Sequence, residues 1–144
     1  MGDPRDSPEL QQAERYTLDS TLDSIEKIEH LVLDYALRMG FKGASLEQIS
    51  LAVHETAANA VFHGNQENAD KKVFLEISAP DGHLKIVITD QGCGFDPAKI
   101  PDPLGPEEMF RERGRGIYLT RALMDEYRAN CSPDGSEITM VKYR

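Results

Sequence analysis

At 144 residues the chain can bury one real core, and it is too short for two ordinary domains. Hydrophobic residues make up 40% and charged residues 28%, so a globular fold is expected over most of its length. The formal charge of −9 argues against direct nucleic-acid binding, because the only basic cluster is FRERGR, Phe110 to Arg115.

In chain order, residues 1–12 are polar, carry Pro4 and Pro8, and read as a flexible tail ahead of a single domain over 13–144. The alternation in RYTL, Arg15 to Leu18, predicts a short strand at a sheet edge. Leu22, Ile25, Ile28, Val32, Ala36 and Met39 then recur at helical spacing, with Ser20 as a candidate cap and Gly40 as a stop. A second helix is expected from Ser45, where Ser45 and Gln48 match a capping box, to about Gly64. The period then changes to two. Val73, Leu75 and Ile77 form one strand face and Leu84, Ile86 and Ile88 the next, joined as a hairpin through Pro80–Gly82. A Gly- and Pro-rich stretch from Asp90 to Gly116 is long for a plain loop, and such segments are usually lids or binding loops. GIYLTRALMDEY predicts a third helix, and two closing strands follow around 127–131 and 136–143. The order β-α-α-β-β-loop-α-β-β points to an α+β, two-layer sandwich with helices on one face of a mixed, mostly antiparallel sheet.

No apolar run approaches the ~18 residues of a membrane span, and the start MGDPRDSPEL has no signal-peptide core. Cys93 and Cys131 have neither metal-ligand nor disulfide-framework spacing, so a cytoplasmic location is expected.

Three stretches carry candidate chemistry. In HETAANAVFHGN, Glu55 and Asn59 are four residues apart and project from one side of the helix. In TDQGCGF, a strand ends at Asp90, which could accept a hydrogen bond from a buried amino group such as that of adenine. Gly92 and Gly94 would admit a ligand against the backbone, although a plain strand-end turn explains them equally well. In GRGIYL, glycines run into a helix N-terminus, which suits phosphate but is also an ordinary helix entry. His54 points away from Glu55 on the helix and reads as structural. His63 reads as a helix-ending residue, and His30 lacks the context of a phosphoacceptor.

Taken in order, AVHETAANAVFHGN, DQGCGF and GRGIYLTRALMDE resemble the N, G1 and G2 boxes of the GHKL ATPase superfamily, and most closely the bacterial anti-sigma-factor serine kinases. The resemblance runs from about Arg15 to Tyr143 and implies the Bergerat nucleotide fold. It implies that Asn59 gives its carboxamide oxygen to Mg²⁺, a hard cation that prefers oxygen. Glu55 would be the general base. Asp90 would bind the adenine amino group, with Gly92 and Gly94 allowing close approach, and Gly114 and Gly116 would close a lid over the phosphates of ATP. Ser136 stands where the superfamily often has Thr and would reach adenine through a water. Arg111, Arg113 and Arg115 read as solvated lid charges, with Arg115 a candidate for contact with the γ-phosphate, since phosphoryl transfer favours cationic clamps. Cys93 falls at a variable position of the G1 box and reads as a small filler.

Two functions from different classes follow. One is a protein serine/threonine kinase that sequesters a sigma factor and phosphorylates a STAS-type antagonist on serine. The other is a nucleotide-binding switch with little transferase activity, whose lid state gates partner choice. Many relatives pair through the sheet side, which implies a homodimer.

Overall fold

The computed structural model describes residues 12–92 and 118–144. The expected tail over 1–11 and the candidates Cys93, Gly94, Arg111, Arg113, Gly114, Arg115 and Gly116 lie outside the described residues. The elements are β1 (Glu14–Asp19), α1 (Leu22–Arg38), α2 (Ala44–Ala58) with a π turn (Asn59–Gly64), β2 (Lys72–Ser78), β3 (Leu84–Asp90), a helix over 118–123, β4 (Glu126–Ser132) and β5 (Gly135–Lys142).

The strands form one sheet in the order β1-β2-β3-β5-β4, with β1 at an edge as expected. All four pairings are antiparallel, so among the described strands the sheet is not mixed. The expected parallel component is absent because β2–β3 and β4–β5 are hairpins, while β1–β2 and β3–β5, each separated by other elements in sequence, also pair antiparallel. No parallel crossover is made. The period-two pattern places Val73, Leu75 and Ile77 beside Leu84, Ile86 and Ile88 on the helix-covered face. The β2–β3 turn runs through Pro80–Gly82, with Asp81 and Gly82 at φ 55° and 81°.

Helix α1 buries Ile25, Ile28, Val32, Tyr35, Ala36 and Met39. Each of the Ile, Val and Met side chains among them contributes about 1.5–3 kcal/mol when fully removed from water. Leu22 was expected on this stripe, but it is 66% exposed. It is the first residue of the helix and overhangs the end of the core. Gly40, at φ 98°, stops the helix. Phe41 N–H donates to Ala36 O and Gly40 N–H to Leu37 O, both at 3.0 Å, the paired bonds of a left-handed C-terminal cap.

Two expected caps are absent. Helix α2 starts one residue early, at Ala44, on Gly43 at φ 62°, so Ser45 lies inside the first turn and its hydroxyl caps nothing. Thr21, not Ser20, precedes α1. The Ser20 hydroxyl donates instead to Lys71 O at 2.6 Å. The third helix also ends sooner than expected. Met124 and Asp125 form a bend, and Glu126 already starts β4.

Candidate functional site

The site lies where α2 changes pitch above the end of β3. Helix α2 follows α-helical bonding to Ala58, and Asn59–Gly64 then widen into a π turn, with Asn65 N–H donating to Ala60 O at 2.8 Å. A single π turn inside a helix often marks a functional site. Here it lets one continuous helix present Glu55 and Asn59 and still deliver Gly64 onto the sheet.

Thr56, Asn59 and Ala60 line one wall of a pocket, and Ile88, Asp90 and Ile138 line the sheet side. Thr120 and Tyr127 complete the described lining. Thr56 is held in place by its hydroxyl, which donates to Ala52 O at 2.8 Å. Ile88 and Ile138 are direct cross-strand partners, as are Asp90 and Ser136. Two alternate rungs of the β3–β5 ladder, an apolar pair and a polar pair on one sheet face with Thr89–Glu137 between them, underlie the site, and Ile88, Ile138 and Asp90 reach the pocket.

Asp90 is 6% exposed, and its Oδ1 accepts the Gly92 N–H at 3.0 Å and the Ser136 N–H at 3.3 Å. Three glycines make room around it. A Cβ on Gly64 would lie 2.3 Å from Asp90 Oδ2, and one on Gly92 would lie 1.8 Å from Gly64 O. Gly135 combines φ 151° with a Cβ position 2.0 Å from Asp90 O. The floor is thus a carboxylate pressed between backbones, with no space for an added side chain. The Ser136 hydroxyl, 1% exposed, has no hydrogen-bond partner among the described residues. A slot with Ala60, Ile88 and Ile138 on its walls and the Asp90 carboxylate on its floor suits a flat heterocycle that donates an amino hydrogen.

Of the residues singled out in the sequence, Asn59 and Asp90 meet at this pocket, and Ser136 pairs in register beside Asp90. Glu55 is partly exposed and lies one turn before Asn59 on the outer side of the same helix. Gly92 lies against Gly64 below the pocket. His54 faces away, with Nδ1 3.3 Å from Glu29 Oε1 on α1, and His63 is exposed. No group of three or more His, Cys, Asp or Glu side chains among the described residues could hold a metal ion.

Sequence reading missed Thr56, Ile88, Thr120, Tyr127, Ile138 and Gly64. Period alone points to three of them. Thr56 lies three residues before Asn59 on the helix, Ile88 two before Asp90, and Ile138 two after Ser136. Tyr127, expected at the junction of the third helix and the strand over 127–131, is a strand residue.

The histidine kinase-like ATPase domain family matches residues 18–142. The serine-protein kinase RsbW of Oceanobacillus iheyensis is 37% identical over 114 residues, covering 75% of this chain and 72% of that protein. The RsbW of Bacillus subtilis is 32% identical over 114 residues, covering 75% and 71%. Among solved structures, the RsbU and RsbW domains of a Mycobacterium tuberculosis protein superpose with a TM-score of 0.67 at 18% identity, covering 92% of this chain and 32% of that one. The SiaB–SiaC complex from Pseudomonas aeruginosa gives a TM-score of 0.63 at 17% identity, covering 95% and 94%. These two likenesses concern the fold. The match over 18–142, together with the identity to the RsbW proteins, means that the chain belongs to the histidine kinase-like ATPase family, among the serine-protein kinases of the RsbW type.

Proposed function

We propose that this chain is an ATP-dependent protein serine/threonine kinase that acts as an anti-sigma factor, holding a sigma factor inactive and phosphorylating a STAS-type antagonist on serine. The observation that carries the reading is the meeting of Asn59 and Asp90 at one pocket, with Glu55 one helical turn before Asn59. The relatives' name, serine-protein kinase, supports transfer to serine.

Asp90 accepts the amino group of the adenine, while Gly64 and Gly92 let the base lie against the backbone. Ser136 completes the contact through a water, which its unpartnered hydroxyl supports. Asn59 would offer its carboxamide oxygen to Mg²⁺, a hard cation that prefers oxygen. The chemistry such an ion would supply is offsetting of charge on the transferred group. Glu55, on the rim, takes the proton of the acceptor serine as its oxygen attacks the γ-phosphorus and ADP leaves. Gly94 is assigned with Gly92 to the close approach of the base, and Gly114, Arg115 and Gly116 to the phosphate lid.

The chain works as one domain over 13–144. It forms a homodimer through the sheet face opposite α1 and α2, where Phe74 is 37% exposed and Val87 and Val141 project from neighbouring strands. Light scattering checks this state. No described helix is long and apolar enough to cross a membrane, and a sigma-factor partner places the protein in the cytoplasm.

The test is incubation with Mg²⁺, γ-labelled ATP and candidate antagonists. Label is expected on an antagonist serine. Glu55→Gln should keep ATP affinity and lower transfer by about 10²–10⁴-fold. Normal transfer by that variant removes Glu55 from the base role. ATP binding with no transfer to any candidate replaces the kinase by a nucleotide-binding switch.

A further inference from the structure

The pocket floor borders a second buried polar cluster, which the catalytic scheme leaves unused. Its centre is Asn65, 1% exposed, the residue directly after the π turn. The Asn65 carboxamide joins three separate segments. Its Nδ2 donates to Ser20 Oγ at 2.7 Å, just ahead of α1, and to Lys72 O at 2.9 Å, at the start of β2. Its Oδ1 accepts the Gln91 N–H at 2.8 Å, just past β3. Two further bonds close the ring. Ser20 Oγ donates to Lys71 O at 2.6 Å, and Gln91 Oε1 accepts the Lys72 N–H at 2.7 Å.

The place of this ring in the chain gives it a consequence for the site. Asn65 follows Gly64, and Gln91 lies between Asp90 and Gly92. These are the two segments whose backbones press together around the Asp90 carboxylate, with no room for a Cβ on either glycine. The bond from Gln91 N–H to Asn65 Oδ1 ties one segment to the other one residue away from that contact. Only a carboxamide serves here. It offers an acceptor toward Gln91 and two donors toward Ser20 and Lys72, whereas a carboxylate has no donor and an aliphatic side chain has neither.

We propose that Asn65 is a positioning residue for nucleobase binding, its carboxamide locking the Gly64 backbone onto the Asp90–Gly92 strand end and so aiming the Asp90 carboxylate into the pocket. The proposal rests on the assignment of Asp90 to the adenine. A staple that served stability alone would lower the melting temperature and leave the ATP affinity of the folded protein unchanged.

A double-mutant cycle on the full chain separates these cases, with ATP dissociation constants measured by calorimetry for wild type, Asn65→Leu, Asp90→Asn and the double variant. Asn65→Leu is expected to weaken ATP binding about tenfold, and Asp90→Asn at least as much. The double variant should bind no more weakly than Asp90→Asn alone, because the clamp acts through that carboxylate. Wild-type affinity in Asn65→Leu, or an equal loss in both backgrounds, overturns the proposal. Asp90→Asn with wild-type affinity overturns the adenine assignment itself and the proposal with it. Should Asn65→Leu fail to fold, Ser20→Ala removes one partner of the ring at a distance from the pocket. A loss of a few-fold that vanishes in the Asp90→Asn background supports the clamp, and unchanged affinity overturns it.

Discussion

The β3–β5 pair buries a polar side chain near each end, and the two ends have opposite characters. At one end Ser136 sits opposite Asp90, and its hydroxyl has no partner among the described residues. At the other end Lys142 sits opposite Leu84, 9% exposed, and its ammonium group donates to Gln48 Oε1 at 2.8 Å and Leu123 O at 2.6 Å. Lys142 thereby ties β5 to α2 and to the end of the 118–123 helix. Its bonds are spent within the protein, so it is structure. A buried polar group left unsatisfied costs about 1–3 kcal/mol. The Ser136 hydroxyl has no partner among the described residues, so a ligand or its water can complete the bond there. The lesson is that buried polarity alone does not mark a site. The deciding feature is whether the protein satisfies it internally.

Three substitutions test the contrast, the largest effect first. Gly64→Ala puts a methyl group against Asp90 Oδ2 and forces the carboxylate or the π turn to move. Overpacking of this kind costs about 1–3 kcal/mol, so titration should show ATP binding weakened roughly ten- to hundredfold. Unchanged affinity would mean that the floor tolerates remodelling. Lys142→Met keeps the apolar length of the side chain but strands Gln48 and the Leu123 carbonyl. Denaturant unfolding should show a stability loss of about 2 kcal/mol, with ATP affinity nearly as in wild type. A large loss of affinity without loss of stability would show that both ends serve the nucleotide. Ser136→Ala is the smallest change. It removes no hydrogen bond among the described residues and takes away a buried hydroxyl without a partner there, so stability should be unchanged or should rise by up to about 1–3 kcal/mol, while ATP affinity falls a few-fold. A clear destabilisation would show that the hydroxyl already has a structural partner.

The two long helices differ in how far sequence reading reached. Helix α1 has one task, and its 3.6-residue stripe is the buried face from Ile25 to Met39, with Leu22 alone outside it. Helix α2 has two tasks, and its period is interrupted. Ala52, Val53, Ala57, Ala60 and Val61 are buried against the sheet, while Glu55 and Asn59 stand at and beside the pocket edge. Spacing showed that those two polar residues share a side. It carried no sign of the π turn, because the widening of a helix depends on where its end must land. Nor did it show that Ser20, read as a helix cap, is held by Asn65 across 45 positions. A serine before a helix has the same local pattern whichever partner takes its hydroxyl.

The sequence by itself determined the elements and their order, the edge position of β1, the faces of β2 and β3, and the candidates Glu55, Asn59, Asp90 and Ser136. These rest on period and local chemistry, which neighbouring residues alone establish. Only the tertiary structure decided that the sheet is antiparallel throughout its described strands. It also decided that Ile88 and Ile138 face the pocket together, and that Gly64 and Gly135 pack against Asp90. Those are contacts between residues far apart in the chain, and strand pairing and packing fix them where local propensity cannot.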